Sequence, residues 1–469
     1  MTEATILPEY VGTKQRNFSA NRQHHTGITD SDCAQVFRGE NASKFLEAKV
    51  DAELDRRRGI LKRIIQQGDC DALKSAYLLP DQSLTREEAE FPLAFVLMGY
   101  DDYLQFWELF RSIYWPQNAY CLTYDGGVEY RALFENDTRG IQRTRWVPTE
   151  SRKTPLLSVK LVDLLTKCLP NVVQPKEHLA MRWGDITVLS SAINSLKALD
   201  GLKTRLEPVV NASTNVTIAP AKIVPHPWRY VQIWSWKVWP LRTNLEMVQI
   251  LKLFNGSSDC EIGIGGKLRH RMLGPQPRNL TIYKGSFSAT MSQAFIRSML
   301  RHNATWELLR WLDHSFVPDE HFWVTLLHNR RILHMANSIY GDCWRTARAK
   351  AVDSGQLKYS YLTRHQVWLY EPNEKLCKGA IIRASCMFGT RDVPEVLRKP
   401  HFMAHRFDLN FQPAAILCLQ HWFTKRTYQR PYNTQLDWDV YSNLAKERLK
   451  HSTEDCMAAN GTLPDKMEL

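Results

Sequence analysis

The chain has 469 residues, 44% apolar and 23% charged, with 61 Lys+Arg against 49 Asp+Glu and a formal net charge of +12. That composition excludes a disordered chain, and the lack of any apolar run of about 20 residues predicts no transmembrane helix. The positive balance fits an anionic ligand such as nucleic acid, anionic lipid or a sugar nucleotide, but the charge is dispersed, without a basic block or an RNP, helix-turn-helix or zinc spacing, so nucleic acid is not expected.

Residues 1–85 are polar and are read as an N-terminal stem, with a helix over 47–65 that places Val50, Leu54, Ile60, Leu61 and Ile64 on one side. The polar segment 1–27 lacks the apolar core of a signal peptide. From 91 the texture changes. The continuous apolar run 91–98 predicts a buried strand, and Asp101 or Asp102 caps a helix carrying Leu104, Trp107, Phe110 and Tyr114. Pro116 ends that helix and Ala119–Tyr124 forms a second strand. This is the β–α–β opening of a nucleotide-binding α/β half, although no GxGxxG or GxxxxGK[ST] turn is present. Further on come a helix over 181–199, a polar insertion over 207–217 and one aromatic strand over 230–239. Pro240 ends that strand, and Asn244 is expected to cap a helix over 245–254. Pro318 and Asp319 open a helix over 320–329, the glycines of 263–266 read as a turn, and residues from about 428 read as a polar tail or wrapping segment.

Cysteine and asparagine usage points to an oxidising, lumenal compartment. There are ten cysteines and nine N-x-Ser/Thr sequons, at Asn17, Asn41, Asn136, Asn211, Asn215, Asn255, Asn279, Asn303 and Asn460. Nearly half of the twenty asparagines sit in sequons, where ordinary Ser/Thr usage would put roughly one in eight. Sequons are usable only on exposed lumenal backbone, and disulfides persist in the same compartments.

Pro116–Cys121 (PQNAYC), Pro240–Glu246 (PLRTNLE), Val317–Trp323 (VPDEHFW), Trp368-x-Tyr370 and the Cys377–Asp408 block (Cys377-x8-Cys386, Phe388-Gly389, Asp392, Leu397-Arg398-Lys399, Phe402, Ala404, Phe407-Asp408) occur in order along the chain. Together they resemble the motifs of the core-2/I-branching β-1,6-N-acetylglucosaminyltransferases and their xylosyltransferase relatives, over about residues 30–424. The resemblance implies a GT-A type α/β fold, with a mixed central sheet flanked by helices and a disulfide-tied stem. A catalytic domain is expected over 86–427, with a donor half at about 86–250, an acceptor half at about 251–427 and a polar tail at 428–469. It also implies metal-independent, inverting transfer of N-acetylglucosamine or another sugar from a UDP-sugar to a glycan or glycoprotein hydroxyl. Residence in the Golgi is expected, with membrane association through a segment not present in this chain.

Carried over residue by residue, the resemblance makes Glu320 the general base. Arg383 and Arg406 become the cations on the nucleotide diphosphate, and Asp125 an acidic position of the nucleotide half. Glu261, Trp368 and Tyr370 become acceptor contacts, and Lys267, Arg269 and Arg271 fall near others. Arg406 stands where the family usually has Lys, and keeps the charge. No metal is expected. The Asp-x-Asp triplets 30/32, 69/71 and 437/439 all lie outside the expected core. The implied disulfides are Cys33–Cys418, Cys70–Cys168 and Cys377–Cys386. Cys121 faces a position held here by Ser195, so its bridge is expected to be absent, and pairing among Cys121, Cys260, Cys343 and Cys456 stays open. Two departures fall in the donor half: Val238 replaces an acidic residue, and Gly99-Tyr100 replaces a histidine at the first strand end. They motivate the alternative expectation of an inactive, glycan- or protein-binding lumenal member.

Overall fold

The computed structural model describes residues 27–100, 102–126, 154–206, 209–210, 217–219, 222–263, 274–313, 315–369, 376–429 and 436–456. Tyr370, Lys267, Arg269, Arg271 and the sequons at Asn17, Asn136, Asn211, Asn215 and Asn460 lie outside the described residues. The strands, in chain order, are β1 Leu93–Gly99, β2 Ala119–Tyr124, β3 Val172–Val173, β4 Lys203–Leu206, β5 Val209–Val210, β6 Thr217–Ala219, β7 Lys222–Pro225, β8 Tyr230–Ser235, β9 Val238–Pro240, β10 Asp259–Cys260, β11 Ala289–Ser292, β12 Arg364–His365, β13 Ala380–Ile382, β14 Ser385–Met387 and β15 Met403–His405.

The central sheet is mixed, in the order β10-β11-β8-β1-β2-β3. β1 runs parallel to β2 and β8, β2 runs parallel to β3, and β11 runs antiparallel to β8 and β10. Buried parallel strands have no solvent face, which is why β1 and β2 read as unbroken apolar runs. The helix Tyr103–Ile113 crosses between them. Asp102 caps it, accepting from Leu104 N at 2.7 Å. Helices Lys44–Gln67 and Pro413–Gln429 pack against it, and a buried polar knot joins all three. Arg57 donates to Glu108 (2.8 Å) and Gln420 (2.7 Å), and Arg111 also donates to Glu108 (2.8 Å). A buried carboxylate is tolerable only with partners of this kind. Residues 27–85, read as a stem, are thus packed onto the α/β body.

A second, small sheet has the order β12-β15-β9, with the hairpin β13–β14 beside it. It arises because the aromatic run expected as one strand breaks. β8 ends at Ser235, and β9 leaves the main sheet to pair with β15. The break follows Gly99, where an added Cβ would lie 2.0 Å from the Trp236 ring. The indole stacks instead on Phe106, centroids 4.2 Å apart. The next helix starts one residue earlier than expected. Thr243 and Glu246 form a capping box, and Asn244, the expected cap, is the first residue of Asn244–Phe254. Asn244 is held by Asn118 (2.7 Å) and Glu88 (2.8 Å).

The structure contains Cys33–Cys418, Cys70–Cys168, Cys377–Cys386 and a fourth bridge, Cys343–Cys456. Cys121 and Cys260 are free and buried. Burial pushes the Cys121 thiol up to about 12, against an opposing hydrogen bond with Ser195. The segment read as a polar tail holds the helix Trp438–Thr453, which packs on Asn244–Phe254 and Gly341–Asp353. Among the described residues no helix is long and apolar enough to cross a membrane. The described sequon asparagines, Asn41, Asn255, Asn279 and Asn303, are all exposed.

Candidate active site

Glu320 is the second residue of the helix Asp319–Leu327. Backbone hydrogen bonds fix it against two other segments. Gly285 N donates to Glu320 O (2.8 Å), and Gly263 N donates to Lys284 O (2.7 Å). A Cβ on Gly285 would lie 2.0 Å from Glu261 O, so glycine is what lets these segments close on one another. The Lys284 ammonium lies 3.1 Å from Glu320 Oε2, which has no aligned hydrogen-bond donor.

Glu261 belongs to the same cluster. Burial raises its pKa, the positive charges of Arg364, Arg348 and Lys284 oppose that rise, and Glu320 adds to it. Burial and the neighbouring Glu320 charge also push the Asp319 carboxyl up to about 7. Three carboxyl groups and three cations therefore share one region. Arg364 Nε, Arg348 Nε and Arg348 Nη1 are buried there without a hydrogen-bond partner. Sequence reading found Glu261 and Glu320 but not Arg348, Arg364 or Lys284, since a lone cation reads as a solvated charge. The one available signal was the alternation of Arg364, Gln366 and Trp368 along an extended segment.

The β13–β14 hairpin presents the second group. Arg383 and Ala384 form its turn, with φ of 53° and 60°, and Cys377–Cys386 braces its base. Arg383 is exposed and Arg406 half-buried. Arg406 Nη2 donates to Ile382 O at 2.9 Å, which holds the second guanidinium against the hairpin. Burial lowers the Arg406 pKa, and repulsion by the Arg383 charge lowers it further. His405, next along β15, is driven far below its ordinary range by burial and then by Arg364, Arg406 and Lys237. Cations facing one another in this way leave a local field suited to an anion.

The remaining positions are scattered around these two groups. Trp368 bridges to Ser385 of β14, so it lies along the hairpin four residues after Arg364. Asp125 sits just past β2, buried, its Oδ1 accepting from Met181 N at 2.8 Å. That oxygen is committed to holding a loop. Val238 pairs with His405 across β9 and β15 and is buried. The Asp-x-Asp triplets have local partners: Asp30 with His421 and Lys425, Asp32 with Lys49, and Asp69 as a helix cap.

Burial also pushes the Glu88 carboxyl up to about 7, against hydrogen bonds from Asn244 and Thr85. A carboxyl whose pKa is raised on folding binds its proton more tightly in the native state. Its stabilisation is complete below the unfolded pKa and is lost as pH rises through the folded one. Thermal stability is therefore expected to fall between about pH 4.5 and 7.5, with Glu88 contributing roughly 3 kcal/mol to the difference. Melting scans across that range should show the slope, and Glu88→Gln should flatten it.

Residues 204–351 match the Core-2/I-Branching enzyme family model. The chain is similar to human N-acetyllactosaminide beta-1,6-N-acetylglucosaminyl-transferase, at 26% identity over 391 residues, covering 78% of this chain and 81% of that protein. It is 24% identical over 391 residues to human beta-1,3-galactosyl-O-glycosyl-glycoprotein beta-1,6-N-acetylglucosaminyltransferase 3, covering 78% and 75%. A bovine herpesvirus 4 (strain DN-599) beta-1,3-galactosyl-O-glycosyl-glycoprotein beta-1,6-N-acetylglucosaminyltransferase is 24% identical over 435 residues, covering 86% and 84%. With that match and these relatives added to the ordered motifs and the α/β frame, the chain is a glycosyltransferase whose residues 204–351 are similar to the core-2/I-branching enzymes.

Proposed function

We propose that the protein has a GT-A type fold and moves N-acetylglucosamine from a UDP-sugar to a hydroxyl of a glycan or glycoprotein acceptor, with inversion and without a metal. The observation that carries this reading is the division of charge. A carboxylate whose Oε2 lies beside the Lys284 ammonium but has no aligned hydrogen-bond donor, Glu320, lies in one group, and two guanidiniums that repel each other, Arg383 and Arg406, lie in another. Inverting transfer needs both. Glu320 takes the proton of the acceptor hydroxyl as its oxygen attacks the anomeric carbon. The bond from that carbon to the diphosphate breaks on the opposite face, and its electron pair leaves with the UDP. Arg383 and Arg406 neutralise the charge that grows there, in the place a divalent ion would otherwise serve. Glu261 and Trp368 orient the acceptor, one by accepting from sugar hydroxyls and one by stacking. The exposed sequons and four disulfides support residence in the Golgi lumen.

The test is UDP release from UDP-N-acetylglucosamine by secreted protein, with and without EDTA, against N-acetyllactosamine and β-1,3-galactosyl acceptors. Loss of turnover in EDTA would sink the metal-free mechanism, and no turnover at all would sink the transferase reading of the site. In UDP titrations, Arg383→Ala and Arg406→Ala should each weaken binding by about 10- to 100-fold, the loss of one charge-assisted hydrogen bond to phosphate. Equal affinity in both variants would place the diphosphate elsewhere.

A further inference from the structure

Two large aromatic side chains stand in solvent, one of them four residues before the proposed base. Trp183 is 78% exposed, more than any other large hydrophobic residue among those described, and Phe316 is 44% exposed. Their rings nevertheless pack edge to face, with centroids 5.2 Å apart and planes at 82°. Large exposed apolar side chains that contact one another, rather than standing singly, mark a surface that binds something.

The backbone beneath them is built to hold this pair. Gly184 has φ +82°, and a Cβ there would lie 2.7 Å from the Phe316 ring. Val317 adopts φ 53°, a left-handed conformation that strains a β-branched residue and that recurs where function demands it. Its N–H donates to Gly184 O at 3.1 Å, which locks the two aromatic loops together. On one side, Val317 O accepts from Glu320 N at 3.1 Å, one turn from Phe316. On the other, Gly126 N donates to Leu179 O (2.9 Å) and Met181 N to Asp125 (2.8 Å), which fastens the Trp183 loop to the end of β2. The pair is therefore anchored both to the segment carrying the proposed base and to the C-terminal end of β2 in the expected donor half.

We propose that Trp183 and Phe316 form an aromatic platform that stacks on a pyranose ring of the acceptor glycan, beyond the sugar that carries the reacting hydroxyl. The proposal rests on the transferase reading above. A pyranose offers an apolar C–H face ringed by hydroxyls, so a ring that is open on one side can cover that face while the hydroxyls stay in water. The acceptor rather than the donor is assigned because Phe316 leads directly into Glu320, whereas of the proposed diphosphate cations Arg383 forms the turn of the separate β13–β14 hairpin and Arg406, just past β15, bonds to it.

The experiment compares wild type, Trp183→Ala, Trp183→Phe and Phe316→Ala with two sets of acceptors. One set is the methyl glycosides of single sugars, and the other the methyl glycosides of N-acetyllactosamine and longer β-galactosides, so that no aromatic aglycone competes. Trp183→Ala and Phe316→Ala should raise KM for the oligosaccharides by about 10-fold while KM for single sugars and for UDP-N-acetylglucosamine stays unchanged, and Trp183→Phe should recover most of the loss. A rise in donor KM alone would place the donor sugar on the platform and overturn the proposal, as would unchanged KM values throughout. If wild type shows no turnover, the transferase reading fails, and saturation-transfer NMR with the same oligosaccharides decides the platform separately. Weaker binding to Trp183→Ala than to wild type supports it, and equal binding overturns it.

Discussion

Glu320→Gln should lower kcat by about 10²- to 10⁴-fold, the range for loss of a positioned general base, with acceptor and UDP-sugar binding nearly unchanged. Glutamine keeps the shape of the side chain and its packing beside Lys284 but cannot take a proton. The neighbouring carboxyl supplies the control. Asp319 is held up to about 7 by burial and by the Glu320 charge, so it is substantially protonated at neutral pH, and its role is to start the helix. Asp319→Asn should therefore keep kcat within about tenfold of wild type. Steady-state rates at saturating donor and acceptor separate the two. If Glu320→Gln turns over normally while Asp319→Asn does not, the base is Asp319 and the roles proposed for the adjacent carboxyls are reversed.

How much of this was legible in the sequence depends on whether a residue's role is set locally. β1, the crossover helix and β2 were readable because strands buried on both faces cannot hide their composition. The capping error at Asn244 is a local ambiguity. Threonine and asparagine both cap well, and only the reach of Glu246 back to Thr243 decides between them. The break between β8 and β9 was not readable, because the apolar run continues through it and what bends the chain is the meeting of Trp236 with a strand-end glycine far away in sequence. Glu320 and the Arg383 turn were found through motifs that resemble a family. Arg348 and Lys284 were silent, since each becomes part of the site only through residues brought in from other segments. The helix Trp438–Thr453 was unreadable for a similar reason. Its polar composition hides a single buried arginine.

That arginine supplies the second large expected effect. Arg448 and Asp259 are both fully buried and lie 2.7 Å apart. Arg448 also donates to Ser258 O (2.8 Å) and Ser360 O (2.9 Å). The other Asp259 oxygen accepts from Leu362 N (2.9 Å), Thr363 N (2.7 Å) and Thr363 Oγ1 (2.7 Å). The last helix thus pins segment 258–261, which ends at Glu261, to segment 360–364, which ends at Arg364. Arg331, bonded to Asp342 and Asp455, and the Cys343–Cys456 bridge fasten the far end of that helix. Arg448→Met leaves a carboxylate buried and uncompensated and should cost about 3–5 kcal/mol, a large share of the roughly 5–15 kcal/mol that holds most domains folded. Asp259→Asn combined with Arg448→Met should recover part of that loss, because the stranded charge is gone. Breaking an exposed pair such as Arg86–Glu90 should leave the melting temperature close to that of wild type, because water already screens the two charges. Thermal melts of the secreted variants order the three cases. A single Arg448→Met variant as stable as wild type would mean that water or a neighbouring group takes over the Asp259 charge, and the last helix would then be a cover rather than a clasp.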